Sequence, residues 1–239
     1  MKNWKYSFLL AMFLFLTAGA VQAHALYIDT KPEGEQGENH IVKVYYSEFA
    51  DGTVEKVTDW YSNVAEFQLW LVQPNGKRTK LSTTAHEDRY SASFNPDQNG
   101  VYRLEISHMA EDPGDGTAYQ FNAFAPVVVG KKGKMKPVTE ESPELVLAEE
   151  LQQTESSKKT FKIYFKGELK EGVTATVFLP SGETKKVKSN SDGIIEIMLN
   201  EKGIYFLEAT TYHEEEPGKT KKASYTSVWR CATQKIEIE

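Results

Sequence analysis

Gly100-Val101-Tyr102-Arg103-Leu104-Glu105 and Gly203-Ile204-Tyr205-Phe206-Leu207-Glu208 spell the same strand twice, and their agreement decides how the chain is read. Tyr102, Leu104 and Ile106 recur at period two, as do Tyr205, Leu207, Ala209 and Thr211. Side chains alternate across a strand, so each set lies on one face. Upstream, Phe67-Gln68-Leu69-Trp70-Leu71 runs into Pro74-Asn75-Gly76, and Ala175-Thr176-Val177-Phe178-Leu179 runs into Pro180-Ser181-Gly182. In both turns Pro presets φ and Gly accepts a positive φ, as a hairpin requires. Downstream, His108 with Glu111-Asp112-Pro113-Gly114 is echoed by His213 with Glu214-Glu215-Glu216-Pro217-Gly218. Three blocks in the same order exceed chance likeness among β-rich segments. They imply a duplication, with too few repeats for a solenoid.

Between these blocks the chain reads as all-β. Residues 41–47, 66–72, 101–107, 160–165, 174–179, 194–199 and 204–210 are short, rich in β-branched and aromatic residues, and bounded by Gly, Pro, Asn or Asp. Such spacing predicts sandwiches. The expected architecture is two tandem β-sandwich domains, immunoglobulin-like or transthyretin-like, after a signal peptide. The expected boundaries are signal peptide 1–23, N-terminal sandwich 24–130, linker or connecting segment 131–158 and C-terminal sandwich 159–239, with the break near residue 155. Residues 143–153 read as a short helix or a connecting strand.

Residues 1–23 carry the signal pattern: Lys2 and Lys5, an apolar run over 8–16 that is too short to span a bilayer, and Val21-Gln22-Ala23 as a small-x-small cleavage site. Cleavage after Ala23 makes His24 the first residue of the mature chain; cleavage after Ala20 or Ala25 would not. An N-terminal His offers its α-amine and its imidazole Nδ1 on one residue, so a chelate ring forms with little ordering. The reference pKa values, about 7.7–8.0 for the amine and about 6.5 for imidazole, let a metal displace both protons near neutrality.

The formal charge is −6, and −8 without Lys2 and Lys5. No basic stripe is present, which argues against nucleic acid as a partner. After the signal no long apolar run follows, so no membrane insertion of the mature chain is expected. Cys231 is the single cysteine, which excludes an internal disulfide framework and reads as a small buried hydrophobe.

The candidate metal ligands are His24, His108, His213 and His86. His108 and His213 each end a strand beside an acidic turn, where imidazole and carboxylate together suit nickel, cobalt, copper or zinc. His86 lies in a polar segment, 83–89. His40, opening a strand after a Gly/Glu-rich turn, reads as a surface residue. Asp29 is a candidate to support His24 from outside the ligand set. Asp112-Pro113-Gly114-Asp115-Gly116 lacks the spacing of a calcium loop. HExxH, CxxC, GxSxG and P-loop patterns are absent, so the chain reads as a non-enzyme.

His24-Ala25-Leu26-Tyr27-Ile28, the Gly-x-Tyr-x-Leu strand at Gly100, the run from Gly172 to Val177, Ser191-Asp192-Gly193-Ile194-Ile195 and the strand from Gly203 to Ala209 together resemble the periplasmic nickel- or cobalt-uptake substrate-binding component family. The resemblance spans essentially the whole mature chain, on soft motifs. Ala25-Leu26-Tyr27 departs from the acidic or bulky aromatic pattern that follows the His in that family. The resemblance implies a periplasmic or secreted protein that captures a divalent transition metal, nickel or cobalt with copper or zinc as alternatives, for a membrane transporter component. It carries over His24 as ligand and a transthyretin-like or carboxypeptidase-regulatory-like closing sandwich. Two other classes stay open: an adhesion or scaffolding sandwich pair without metal, and a copper-binding histidine brace, which would need a second His facing His24.

Overall fold

The computed structural model describes residues 24–49, 52–130, 135–139, 141–151 and 157–238. The segment expected to be a signal peptide and the expected break at residue 155 lie outside these residues. The chain is all-β. Fourteen principal strands are β1 (Ala25–Thr30), β2 (His40–Ser47), β3 (Leu69–Val72), β4 (Arg78–Lys80), β5 (Tyr90–Phe94), β6 (Gly100–Met109), β7 (Thr117–Val129), β8 (Leu145–Glu149), β9 (Lys158–Phe165), β10 (Thr174–Phe178), β11 (Thr184–Lys188), β12 (Ile194–Met198), β13 (Gly203–His213) and β14 (Ser227–Ile238). The remaining strands among the described residues are two residues long.

Each strand of the first half has its counterpart seven labels later, and the pairings repeat residue for residue. Thr30 opposite Val42 and Val42 opposite Ala92 correspond to Glu149 opposite Phe161 and Phe161 opposite Ile195. Leu71 opposite Leu104 corresponds to Val177 opposite Leu207. The corners repeat too. Gly100 and Gly203 hold φ near +136° and +126°, and a Cβ on either would fall 2.7 or 2.9 Å from the ring of Pro74 or Pro180. The Tyr102 hydroxyl accepts the N–H groups of Asp97 and Gln98, and the Tyr205 hydroxyl accepts that of Glu201. The duplication read from the sequence is therefore a duplication of register, turns and corners.

The halves are joined through one sheet. β4-β3-β6-β7 and β14-β13-β10-β11 form a single surface, because β7 and β14 run parallel with Ser227 opposite Thr117 through Gln234 opposite Phe124. The sheet β1-β2-β5 covers the first half on one side; β8-β9-β12 covers the second half on the other. The faces are opposite because Phe121, Ala123 and Ala125 of β7 belong to the first core while Phe124, between them, belongs to the second. Strands at the joint are covered on both faces, as parallel strands usually are. From Phe121 to Ala125 every residue of β7 is buried. β8, inside the segment read as a linker, pairs with β9 and roofs the second core.

β1 is buried on both sides. Leu26 and Ile28 enter the first core, while Ala25 and Tyr27 pack on Phe206 and Cys231, on the outer face of the second half. Cys231 is buried, as its composition suggested. His40 is not a surface residue. It is 7% exposed, shares the parity of Val42 and Val44, and bonds Thr30 Oγ1 at 2.8 Å beside the Phe94 ring. Burial lowers its pKa.

Candidate functional site

His24 sits where β1 begins, at the end of the first core. Its ring lies against Tyr46 with centroids 5.5 Å apart and planes 24° apart, and its Nε2 is 2.5 Å from Glu55 Oε1. Glu55 comes from a loop, and two contacts hold that loop in place. The Val57 N–H donates to the Glu87 carbonyl at 2.8 Å, and Trp60, 5% exposed, packs its ring on Tyr46 and donates its indole N–H to the Glu55 carbonyl. Burial, reinforced by the Glu55 charge, pushes the Tyr46 phenol well above its usual range. Tyr46 therefore stays neutral and serves as a platform. With Nε2 engaged by Glu55, the other ring nitrogen, Nδ1, is the one left.

The second half carries a related corner. Register makes Phe165 the counterpart of Tyr46 and Arg230 the counterpart of Phe121. The His213 ring stacks on Phe165 at 4.7 Å and 10°, with Nδ1 4.0 Å from Glu216 Oε2. Here the strand supplies its own cation. Arg230, 1% exposed, donates from Nη1 and Nη2 to Glu216 and from Nε to Glu144, with its guanidinium 5.3 Å from the Phe165 ring centre. The Arg230 hydrogen bonds, helped by Lys166, hold the Glu216 carboxyl at about 2. Burial and the Arg230 charge lower the pKa of His213. In the first half an apolar ring, Phe121, stands where Arg230 stands in the second, packed edge-on to Tyr46 at 5.4 Å.

The four candidate histidines are not brought together; they share no hydrogen-bond partner or ring contact. His108 meets Asn63 Oδ1 at 3.2 Å, and burial lowers its pKa. His86 meets Ser91 Oγ at 2.7 Å. His108 and His213 are not counterparts by register, since His108 is opposite Phe121 and Thr211 is opposite Arg230. They also face opposite sides of the shared sheet. Three strand spacings separate them, about 14 Å, which is beyond the reach of one ion. The acidic hairpins do meet, through Lys221 with Glu111 at 2.7 Å, Lys222 with Asp112 at 2.8 Å and the Thr220 hydroxyl donating to the Glu111 carbonyl. Asp29 lies at the far end of β1, paired with Lys235 at 2.5 Å.

Comparison with known proteins adds little about activity. No family model matches the chain, and no characterised protein matches it in sequence. Among solved structures it is similar to a DUF4785 family protein from Legionella pneumophila, with TM-score 0.31 and 12% identity over 76% of this chain and 50% of that one. It is also similar to a Ca2+-stabilised adhesin with which an Antarctic bacterium binds ice (0.24, 9%, over 89% and 48%) and to trypsin-activated alpha-2-macroglobulin from Escherichia coli (0.26, 12%, over 90% and 16%). The chain spans half or less of each of those chains.

Two further carboxylates, Glu48 and Glu208, interact with each other. Glu208 of β13 lies on the outer face of the second half, where Phe49 stacks on Phe206 at 4.2 Å. Burial first, and the Glu48 charge second, raise Glu208 to about 7. Glu48 is itself 8% exposed. Nothing in the sequence marked Glu55, a loop residue, or Glu208, whose parity in β13 is that of a solvent face. Among the described residues no three His, Cys, Asp or Glu side chains converge closely enough to hold a metal on side chains alone.

Proposed function

We propose that the chain is an exported, non-enzymatic carrier that captures a divalent transition metal at His24 and passes it to a membrane transporter component. The reading takes cleavage after Ala23 from the sequence. The observation that carries it is the His24–Glu55 pair. A His that chelates through its α-amine and Nδ1 has its Nε2–H free, and metal-bound imidazoles regularly donate that hydrogen to a carboxylate that fixes the ring and raises its basicity. Glu55 stands at that nitrogen, and Tyr46 fixes the plane. The second corner supports the reading by contrast, because there Arg230 is the built-in cation beside the carboxylates. Two protein donors leave positions for water and for a receiving partner, which suits cargo in transit. Nickel or cobalt comes first, with copper or zinc as alternatives; a tetragonal nitrogen site favours nickel(II) or copper(II) over tetrahedral zinc.

A metal-free adhesion or scaffolding role is the second reading, and it is favoured by the lack of three converging donor side chains among the described residues. No helix among those residues is long and apolar enough to cross a membrane.

Calorimetric titration of nickel, cobalt, copper and zinc into the mature chain tests the proposal. One-to-one binding is expected, and Glu55→Gln weakens it by about 10–100-fold while leaving the thermal melt of the metal-free protein in place. Absence of binding for all four ions, with His24 confirmed as the first residue, contradicts it. Equal affinity in Glu55→Gln contradicts the assigned role of Glu55.

A further inference from the structure

Three polar side chains enter the second core together. Lys159 shares the parity of Phe161 and Ile163, and Gln234 that of Ala232 and Ile236, and those four apolar residues belong to that core. Glu149 of β8 is opposite Phe161 and lies on the same face. Glu149 is 6% exposed and Gln234 1%. Glu149 Oε1 accepts the Lys159 ammonium, and its Oε2 accepts Gln234 Nε2 at 2.9 Å. One carboxylate therefore holds an amine and a primary amide. Gln234 Oε1 accepts no hydrogen bond, so the amide is oriented through its nitrogen. All three residues line one cavity of about 180 Å3, where β7 and β14 part beyond the pair Phe124–Gln234. The first half shows what packing alone requires at these positions. By register Thr30, His40 and Ala125 stand where Glu149, Lys159 and Gln234 stand in the second. There one hydrogen bond between Thr30 and His40 suffices, and Ala125 carries no acyl group. Enclosing an ammonium, a carboxylate and an amide costs more than packing apolar side chains of like volume.

The arrangement suits acyl transfer within the chain. An attacking amine must lose a proton and a leaving amide nitrogen must gain one, and Glu149 touches both nitrogens. Holding the two groups on one carboxylate makes the step intramolecular and removes most of its entropic barrier. We propose that Lys159 Nζ is joined to Gln234 Cδ by an isopeptide bond in the folded chain, with Glu149 as the proton relay. The Lys159 ammonium passes a proton to Glu149, and Nζ attacks Cδ. The Nζ–Cδ bond forms, the Cδ–Nε2 bond breaks, and the amide nitrogen leaves as ammonium. Glu149 returns to a carboxylate, and no oxidant or co-reactant enters. The bond ties β9 to β14, and so the covering sheet of the second half to the shared sheet, in a chain whose single cysteine allows no internal disulfide. It does not rest on the metal reading.

The test is the high-resolution intact mass of the folded mature chain, with peptide mapping. The expected mass lies about 17 Da below the value calculated from the sequence, the loss of one ammonia. Digestion is expected to yield a branched peptide that links Lys159 to Gln234. Lys159→Arg, Gln234→Met and Glu149→Met each restore the full mass. A thermal melt confirms that each variant is folded, and the wild-type peptide map stands as the test for any that is not. A wild type of full mass overturns the proposal, as does a deficit that maps to another residue. So does a link from Lys159 to Glu149 with about 18 Da lost as water, or a deficit retained in folded Glu149→Met.

Discussion

Arg230→Ala lowers the stability of the chain at pH 7 by about 3 kcal/mol in urea denaturation, the low end for breaking a buried ion pair. Arg230 is the most enclosed charge in the molecule's second corner, and it joins three separate pieces of chain: β14, the acidic hairpin through Glu216, and the segment before β8 through Glu144. Its removal leaves a cavity and two carboxylates with reduced compensation. Glu216 keeps Lys166 at 2.9 Å, and both carboxylates retain solvent contact, so the loss stays at the lower limit. Arg230→Met fills the volume and falls between wild type and Ala. The pH profile separates charge from packing. Because the Glu216 carboxyl is depressed to about 2, its contribution is present above its ordinary pKa near 4.5 and is lost as pH falls through about 2. The shift sets an upper bound of about 3 kcal/mol, which solvent screening at this partly exposed carboxylate reduces. In both variants this acid limb between pH 4.5 and 2 flattens; an unchanged limb means that Glu216 is not held by Arg230.

Glu208→Gln has the opposite sign. With its pKa raised to about 7, Glu208 favours the folded state only while protonated. Its contribution is complete below the unfolded value near 4.5 and is lost as pH rises through 7. Ionisation of Glu208, opposed first by its burial and second by the Glu48 charge, therefore lowers stability by about 3 kcal/mol between pH 4.5 and pH 8, an upper figure for a group that keeps some solvent contact. Wild type is less stable at pH 8 than at pH 5.5, and Glu208→Gln removes most of that difference. The check is a pair of urea curves for each protein at the two pH values. A Gln variant no more stable than wild type at pH 8 shows that Glu208 does not ionise at a cost to the fold.

The strands flanking Gly100 and Gly203 were legible because period-two patterning and Pro–Gly turns are local signals, and duplication doubled each one. The joint between β7 and β14 was not. Parallel pairing of residues some 110 positions apart leaves no local mark beyond a nearly unbroken buried run such as Phe121–Ala125, and that run reads equally well as an interior strand of a separate sandwich. His40 could have been placed inside, since it shares the parity of Val42 and Val44. A polar side chain at a strand start reads as a surface residue, and the structure buries it by supplying Thr30 as partner. The likeness of His108 and His213 in sequence concealed a two-residue difference in register, which only the pairing with Phe121 and Val228 exposes. His24 is marked in the sequence by the signal pattern. Glu55 is not, because an acidic loop residue acquires its meaning only from the ring nitrogen it meets.

The central claim is that the α-amine of His24 is a metal donor. The measurement that tests it most directly is nickel affinity of the mature chain beginning at His24, verified by mass spectrometry, beside the same chain acetylated on the His24 α-nitrogen. Acetylation keeps the imidazole and Glu55 and converts the amine into an amide without supplying a new free amine. The account predicts one-to-one binding in the first protein and at least a hundredfold loss in the second, the size expected when one of two chelating donors is removed. Equal affinity in both would contradict it.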